Sequence, residues 1–187
     1  ELVTLVDRVN AAVPAGDIAA VELNVSCPNV NVDLSTILDE VLAEAVPRSS
    51  HPVILKLSPD HDYVRSARAA AAAGVSALTA INTVKALRLD PRTGEPFLAN
   101  RYGGLSGRAI KPIGLRVVSE LREAGVTLPI IATGGVRTVD DCREYFWAGA
   151  DAVSLGSAVW LASYPGYALA PLRALHVRRV LDAVRRW

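Results

Sequence analysis

Three times in this chain a helix-patterned segment ends in Ala-Gly and gives way at once to a short apolar run. Ala73-Gly74 precedes Ala77–Ile81, Ala124-Gly125 precedes Pro129–Thr133, and Ala148-Gly149 precedes Ala152–Leu155. Glycine supplies the left-handed cap that ends a helix, and small residues let helix and strand approach closely. Repetition of this join constrains the chain to a parallel α/β architecture. Ala20–Ser26 and Val53–Ser58 are two more predicted strands, and the largely apolar character of the set fits strands covered on both faces. Helices are predicted over Glu1–Val13, Ser35–Val46, Tyr63–Ala73, Lys111–Ala124, Val139–Ala148 and Ala168–Arg186. A complete (β/α)8 barrel has eight strands in roughly 250 residues, and this pattern supplies about five of them. On periodicity alone, an open doubly wound sheet is as acceptable as part of such a barrel.

The 187 residues suit one domain over the whole of 1–187. Lys and Arg number 20 against 19 Asp and Glu, so charge makes no case for a nucleic-acid partner. Five arginines near the C-terminus (Arg173, Arg178, Arg179, Arg185 and Arg186) alternate with apolar residues and read as the wet face of an amphipathic helix. No stretch approaches the ~18 apolar residues of a membrane span and no signal peptide is evident, so no membrane partner is expected. The two cysteines, Cys27 and Cys142, have no metal-ligand spacing and are too few for a disulfide framework. A cytoplasmic location is expected, with Cys142 a core or half-buried helix residue and no metal site. The chain opens at Glu1 directly in a helical pattern and contains no methionine, as a piece of something longer would.

The residues that can carry chemistry gather where predicted strands end. In Val21-Glu22-Leu23-Asn24-Val25-Ser26-Cys27-Pro28-Asn29, apolar and polar residues alternate, and Pro28 cannot continue a ladder. Cys27 therefore sits at a strand's carboxyl end, where parallel α/β folds do their chemistry. It reads either as a buried structural thiol or as a base between amides. Asn24, Asn29 and Asn82 either satisfy backbone and cap turns or hold a small polar ring through paired donors and acceptors. Lys56, in a strand covered on both sides, needs a partner. It either pairs with a strand neighbour such as Glu22 or stands at the open mouth. Gly134-Gly135 and Gly156-Ser157 directly follow consecutive predicted strands, the position at which barrels often bind phosphate through backbone N–H groups. Asn82 to Ile110 is the one long interruption, expected to lie as a lid over the mouth, with Leu87–Leu89 and Pro96–Leu98 pairing as a hairpin across Asp90–Gly94. Thr138-Val139-Asp140-Asp141 reads as a helix N-cap. His51, His61 and His176 have no partner spacing and are given no role.

Asn24-Val25-Ser26-Cys27-Pro28-Asn29 resembles a segment of the dihydroorotate dehydrogenases. Asn82-Thr83, Gly103-Gly104-Leu105-Ser106-Gly107, Ile110-Lys111-Pro112, Thr133-Gly134-Gly135 and Gly156-Ser157 follow in that family's order, up to about Trp160. The resemblance implies a (β/α)8 barrel, incomplete here by roughly its first three units. It implies oxidation of dihydroorotate to orotate in pyrimidine biosynthesis, with FMN as cofactor. Cys27 would be the base, and Asn24, Asn29, Asn82 and Thr83 would hold the substrate. FMN would lie against Asn24, Lys56, Ile81, Gly107, Gly134, Gly135, Gly156 and Ser157, with Lys56 at its electron-rich pyrimidine end. A cysteine base resembles the soluble class 1 enzymes. Ile81-Asn82-Thr83 and Leu87-Arg88-Leu89-Asp90 are similar to the subtype served by an iron–sulfur flavoprotein electron-transfer subunit that passes electrons to NAD, with fumarate as the alternative acceptor. A homo-oligomer is expected. Two other readings stay open: a dihydropyrimidine dehydrogenase-like reductase domain, to which Tyr102-Gly103-Gly104 is also similar, and a truncated, non-catalytic barrel remnant. Where the family has a glycine-rich segment after Pro-Asn, this chain runs Asn29-Val30-Asn31-Val32-Asp33 into a helix.

Overall fold

A computed structural model of the chain describes residues 2–25, 38–161 and 178. In order these form α1 (Leu2–Ala12), β1 (Val21–Leu23), α2 (Leu38–Arg48), β2 (Val53–Leu57), α3 (Tyr63–Ala72), β3 (Ala77–Ala80), β4 (Val84–Leu87), β5 (Tyr102–Leu105), α4 (Lys111–Glu123), β6 (Ile130–Thr133), α5 (Val139–Trp147), β7 (Ala152–Ser154) and α6 (Ser157–Leu161). Five strands make one all-parallel sheet in the order β1-β2-β3-β6-β7. The remaining two, β4 and β5, form a separate antiparallel ribbon.

Register makes the layers. Leu23, Leu55, Leu78 and Ile130 stand opposite one another across four strands, and all are buried. That row, with Leu57, Ala80 and Ala132 beyond it, packs against Leu42 and Ala45 of α2, Ala67 and Ala70 of α3, and Val117, Val118 and Leu121 of α4. Alanines on α3 let that helix lie close to the sheet. The opposite face alternates out of the same strands and carries Glu22, Ile54, Lys56, Thr79, Ile131 and Thr133, most of them only partly covered.

All three Ala-Gly joins take the expected shape. Gly74, Gly125 and Gly149 have φ of +82, +78 and +105°. At each, the glycine N–H and the next N–H reach back to the helix in the double-bonded Schellman pattern: Gly74 to Ala71 and Val75 to Ala70, Gly125 to Arg122 and Val126 to Leu121, Gly149 to Phe146 and Ala150 to Tyr145. The chain then enters the sheet at once, with Ser76 N–H on the Val53 carbonyl and Asp151 N–H on that of Ile130.

Several boundaries move. β1 stops at Leu23 rather than Ser26, because its ladder with β2 covers only Val21–Leu23. Asn24 therefore lies just past the strand end, not inside it. Helix α2 runs on through Pro47 to Arg48, although the proline has no N–H to give to the ladder. The predicted helix over Ala168–Arg186 lies outside the described residues, save Arg178. The expected hairpin exists as a single antiparallel bridge between Leu89 and Pro96, with Asp90 N–H on Glu95 and Phe97 N–H on Arg88. Its true strands lie further out, Val84–Leu87 on Tyr102–Leu105, two elements the sequence pattern did not announce. Among the described residues no helix is long and apolar enough to cross a membrane. No cluster of His, Cys, Asp and Glu among them suits a metal ion.

Candidate active site

Parallel pairing brings the carboxyl ends of β1, β2, β3, β6 and β7 to one rim of the sheet. There the chain lines an open cavity of about 470 Å³. From β2 comes Lys56, and from the end of β3 come Ile81, Asn82 and Thr83. The turn after β6 gives Gly134 and Gly135, and that after β7 gives Gly156 and Ser157; Gly107 arrives from the ribbon. All nine were singled out from sequence as site residues, and the tertiary fold gathers them around a single space. Asn24 does not line it but accepts a 3.0 Å hydrogen bond from the Asn82 amide. Cys27 and Asn29 lie outside the described residues.

Each contributor is held by local chemistry. Asn82 donates its backbone N–H to Leu57 at 2.7 Å, the Ile81 N–H goes to Thr133 at 3.1 Å, and the Asn82 side-chain oxygen accepts from the Thr83 N–H at 2.8 Å. Asn82 thus caps its own turn while lining the cavity. Thr83 in turn explains a glycine of β5: a Cβ on Gly104 would collide with its hydroxyl. Lys56 has the partner its burial demands. Its ammonium stands 3.2 Å from Glu22 Oε1, while Glu22 Oε2 accepts the Thr79 hydroxyl at 2.6 Å. The lysine lines the cavity and is ion-paired at once.

The turn after β6 is a tight packing point. Gly134 and Gly135 have φ of +118 and +73°. A Cβ on Gly135 would lie 2.8 Å from Lys111 Cβ and 2.9 Å from the Gly107 carbonyl. Helix α5 then opens with the expected cap: Thr138 accepts from the Asp141 N–H, and Asp141 accepts back from Thr138. Asp141 also takes the Arg137 N–H at 2.9 Å and the Lys111 ammonium at 2.6 Å. Lys111, the first residue of α4, places its cation where the helix dipole disfavours it, and it finds both Asp141 and Glu144 (2.9 Å) in compensation. Burial pushes the Asp141 carboxyl up, but the Lys111 ammonium and the backbone donors outweigh it and bring it to about 2. The Asp141 hydrogen bond holds the Lys111 ammonium protonated above its ordinary range.

Sequence reasoning passed over four residues that line the cavity, Ser106, Ile110, Thr133 and Val136. The two hydrophobic ones look like any core residue in a linear pattern. Ser106 and Thr133 carried a signal, since both stand within motifs that supplied neighbouring site residues. Cys142 is buried, and burial pushes its thiol up, which suits an inert core residue.

Residues 4–170 match the sequence family described as Dihydroorotate dehydrogenase. Among curated relatives, the dihydroorotate dehydrogenase B (NAD(+)) catalytic subunit of Geobacillus kaustophilus is 44% identical over 160 residues, covering 82% of this chain and 51% of the relative. That of Exiguobacterium sibiricum is 47% identical over 148 residues, covering 75% and 48%. The chain thus spans about half the length of the curated relatives it matches. A crystal structure of ligand-free dihydroorotate dehydrogenase from Eimeria tenella superimposes with a TM-score of 0.64 at 22% identity, over 88% of this chain and 51% of that one. This likeness identifies the open five-stranded sheet as part of a (β/α)8 barrel rather than a doubly wound sheet. On the family match and these identities, the chain belongs to the dihydroorotate dehydrogenase family.

Proposed function

We propose that this chain is a single domain carrying the flavin- and substrate-binding part of an FMN-dependent enzyme that oxidises dihydroorotate to orotate in de novo pyrimidine biosynthesis. The observation that carries the reading is the convergence of two glycine turns, from consecutive strands, with Lys56 and the Asn82 side of β3 on one cavity. Its volume is in the range of cofactor pockets. Gly135 leaves no room for a Cβ, which would meet Lys111 and the Gly107 carbonyl, so this turn is held tightly where it borders the cavity. FMN fits this lining: Gly134, Gly135, Gly156 and Ser157 toward the phosphate, Gly107 and Ile81 along the body, and Lys56 at the ring, with Asn24 reaching the ring from its place beside Asn82. When bound, FMN supplies the acceptor for the hydride leaving C6 of the substrate.

The chain's own residues do the rest. Asn24, Asn29, Asn82 and Thr83 match the C=O and N–H edges of a dihydropyrimidine ring in both directions. The hydrogen bond between Asn82 and Asn24 fixes how those two amides are turned. Cys27, read from its sequence position, takes the C5 proton as thiolate. The relatives' designation as NAD(+)-linked catalytic subunits favours an electron-transfer flavoprotein partner over fumarate.

Replacing Cys27 with serine in the full-length protein tests this. The variant should purify yellow, with FMN bound, and turn over ~10²–10⁴-fold more slowly at neutral pH, with its optimum moved to higher pH. A colourless parent protein would remove the flavin reading. Unchanged reduction of the flavin by dihydroorotate across the pH range would remove Cys27 as base.

A further inference from the structure

We propose that Tyr145 is a positioning residue for the phosphate end of the cofactor, fixing the Gly134–Gly135 peptide so that the Gly135 N–H is presented to the anion. The inference rests on the flavin reading above and adds a residue that no motif suggested. Tyr145 lies on α5 and is 0% exposed, with its hydroxyl donating to the Gly134 carbonyl at 2.8 Å. A second carbonyl, that of Thr133, is 3.5 Å away, too far to compete for the single proton. Room for the hydroxyl is made by Gly114, the fourth residue of α4, where a Cβ would collide with it. A glycine inside a helix costs ~1 kcal/mol relative to alanine, so its place there has a steric reason.

The physical need for such a lock follows from the turn itself. Gly134 and Gly135 both sit at positive φ, and a peptide between two glycines has no side chain to bias which way it faces. Its N–H and C=O lie in one plane and point in opposite directions. Whatever holds the Gly134 carbonyl therefore also aims the Gly135 N–H, away from the Tyr145 hydroxyl. Burial pushes that phenol up, so it remains a donor at every physiological pH. Phenylalanine would fill the same space without the bond.

FMN and riboflavin affinities, measured by flavin fluorescence on the full-length apoprotein, decide the matter for the parent, Tyr145→Phe and Gly114→Ala. The second variant displaces the hydroxyl by a different route and keeps the test alive should the first fail to fold. The parent should prefer FMN strongly. Both variants should lose about fivefold to tenfold in FMN affinity, the worth of one hydrogen bond, with riboflavin unchanged. A parent that binds the two flavins equally overturns the phosphate site itself. A parent that prefers FMN, with variants that keep the same FMN-to-riboflavin ratio while melting earlier, leaves Tyr145 a packing residue and overturns this proposal alone.

Discussion

The Lys56 ammonium stands where the cavity meets the polar face of the sheet, and its 3.2 Å pair with Glu22 tempers what it can offer a ligand. Unpaired, a cation beside the pyrimidine end of a flavin stabilises the anionic reduced form; paired, it does so less. Opposite changes should therefore have opposite signs. Lys56→Ala is expected to weaken FMN binding and lower the flavin midpoint potential. Glu22→Gln should raise that potential, because it removes one negative charge beside the cation while the amide still accepts from Thr79. Shifts on the order of 30 mV correspond to ~1.4 kcal/mol for a two-electron couple. Redox titration of both variants checks this; equal potentials in both would remove Lys56 from the ring.

At the scale of elements, the helix-to-strand joins are the repeating device, and they are not equivalent. Gly125 has open space beside it, whereas a Cβ on Gly149 would lie 2.6 Å from Arg122 Cγ. Arg122 cannot step aside cheaply. Its guanidinium donates to the carbonyls of Gly149 (2.8 Å), Val126 (2.7 Å) and Leu128 (2.9 Å), and pairs with Asp151 at 2.6 Å. Asp151 also accepts the Ile130 N–H that opens β6. One side chain thus ties the ends of α4 and α5 to the starts of β6 and β7. Gly125→Ala should cost about 1–2 kcal/mol, the strain of an L-residue at positive φ. Gly149→Ala should cost more, by about the 1–3 kcal/mol of a disrupted buried bond. In the Arg122→Ala background that excess should disappear. Urea denaturation of the four proteins gives the coupling directly; additive effects would mean the clamp is not what Gly149 serves.

For the molecule as a whole, one buried carboxylate links the cavity wall to stability. Asp141 is only 3% exposed and titrates at about 2 rather than its ordinary 3.8. Between those values the unfolded chain binds more protons than the folded one, so stability falls as pH falls. The contribution is complete above the unfolded value and is lost on acidifying from about 3.8 toward 2. It amounts to roughly 2 kcal/mol. Asp141→Asn should be less stable near neutrality and show a flatter stability profile below pH 4, measured by thermal melts across pH. A parallel profile would locate the acid sensitivity elsewhere.

The linear pattern determined the parallel α/β class, the five barrel strands within a residue or three, the Ala-Gly caps and the Thr138 cap, because each depends on neighbours along the chain. It also marked Gly134, Gly135, Gly156, Lys56 and Asn82, since strand ends are legible from where apolar runs stop, whereas Gly107 was marked only by the family resemblance. What it could not hold were relations between distant residues. Tyr145 beneath Gly134, Arg122 across four elements, Lys111 on Asp141, and the ribbon of Val84–Leu87 on Tyr102–Leu105 all join positions that no local periodicity connects. The same limit explains Lys56, for which sequence offered either an ion pair or a place at the mouth. Only folding, by setting Glu22 and the open rim on the same face of the sheet, made both true.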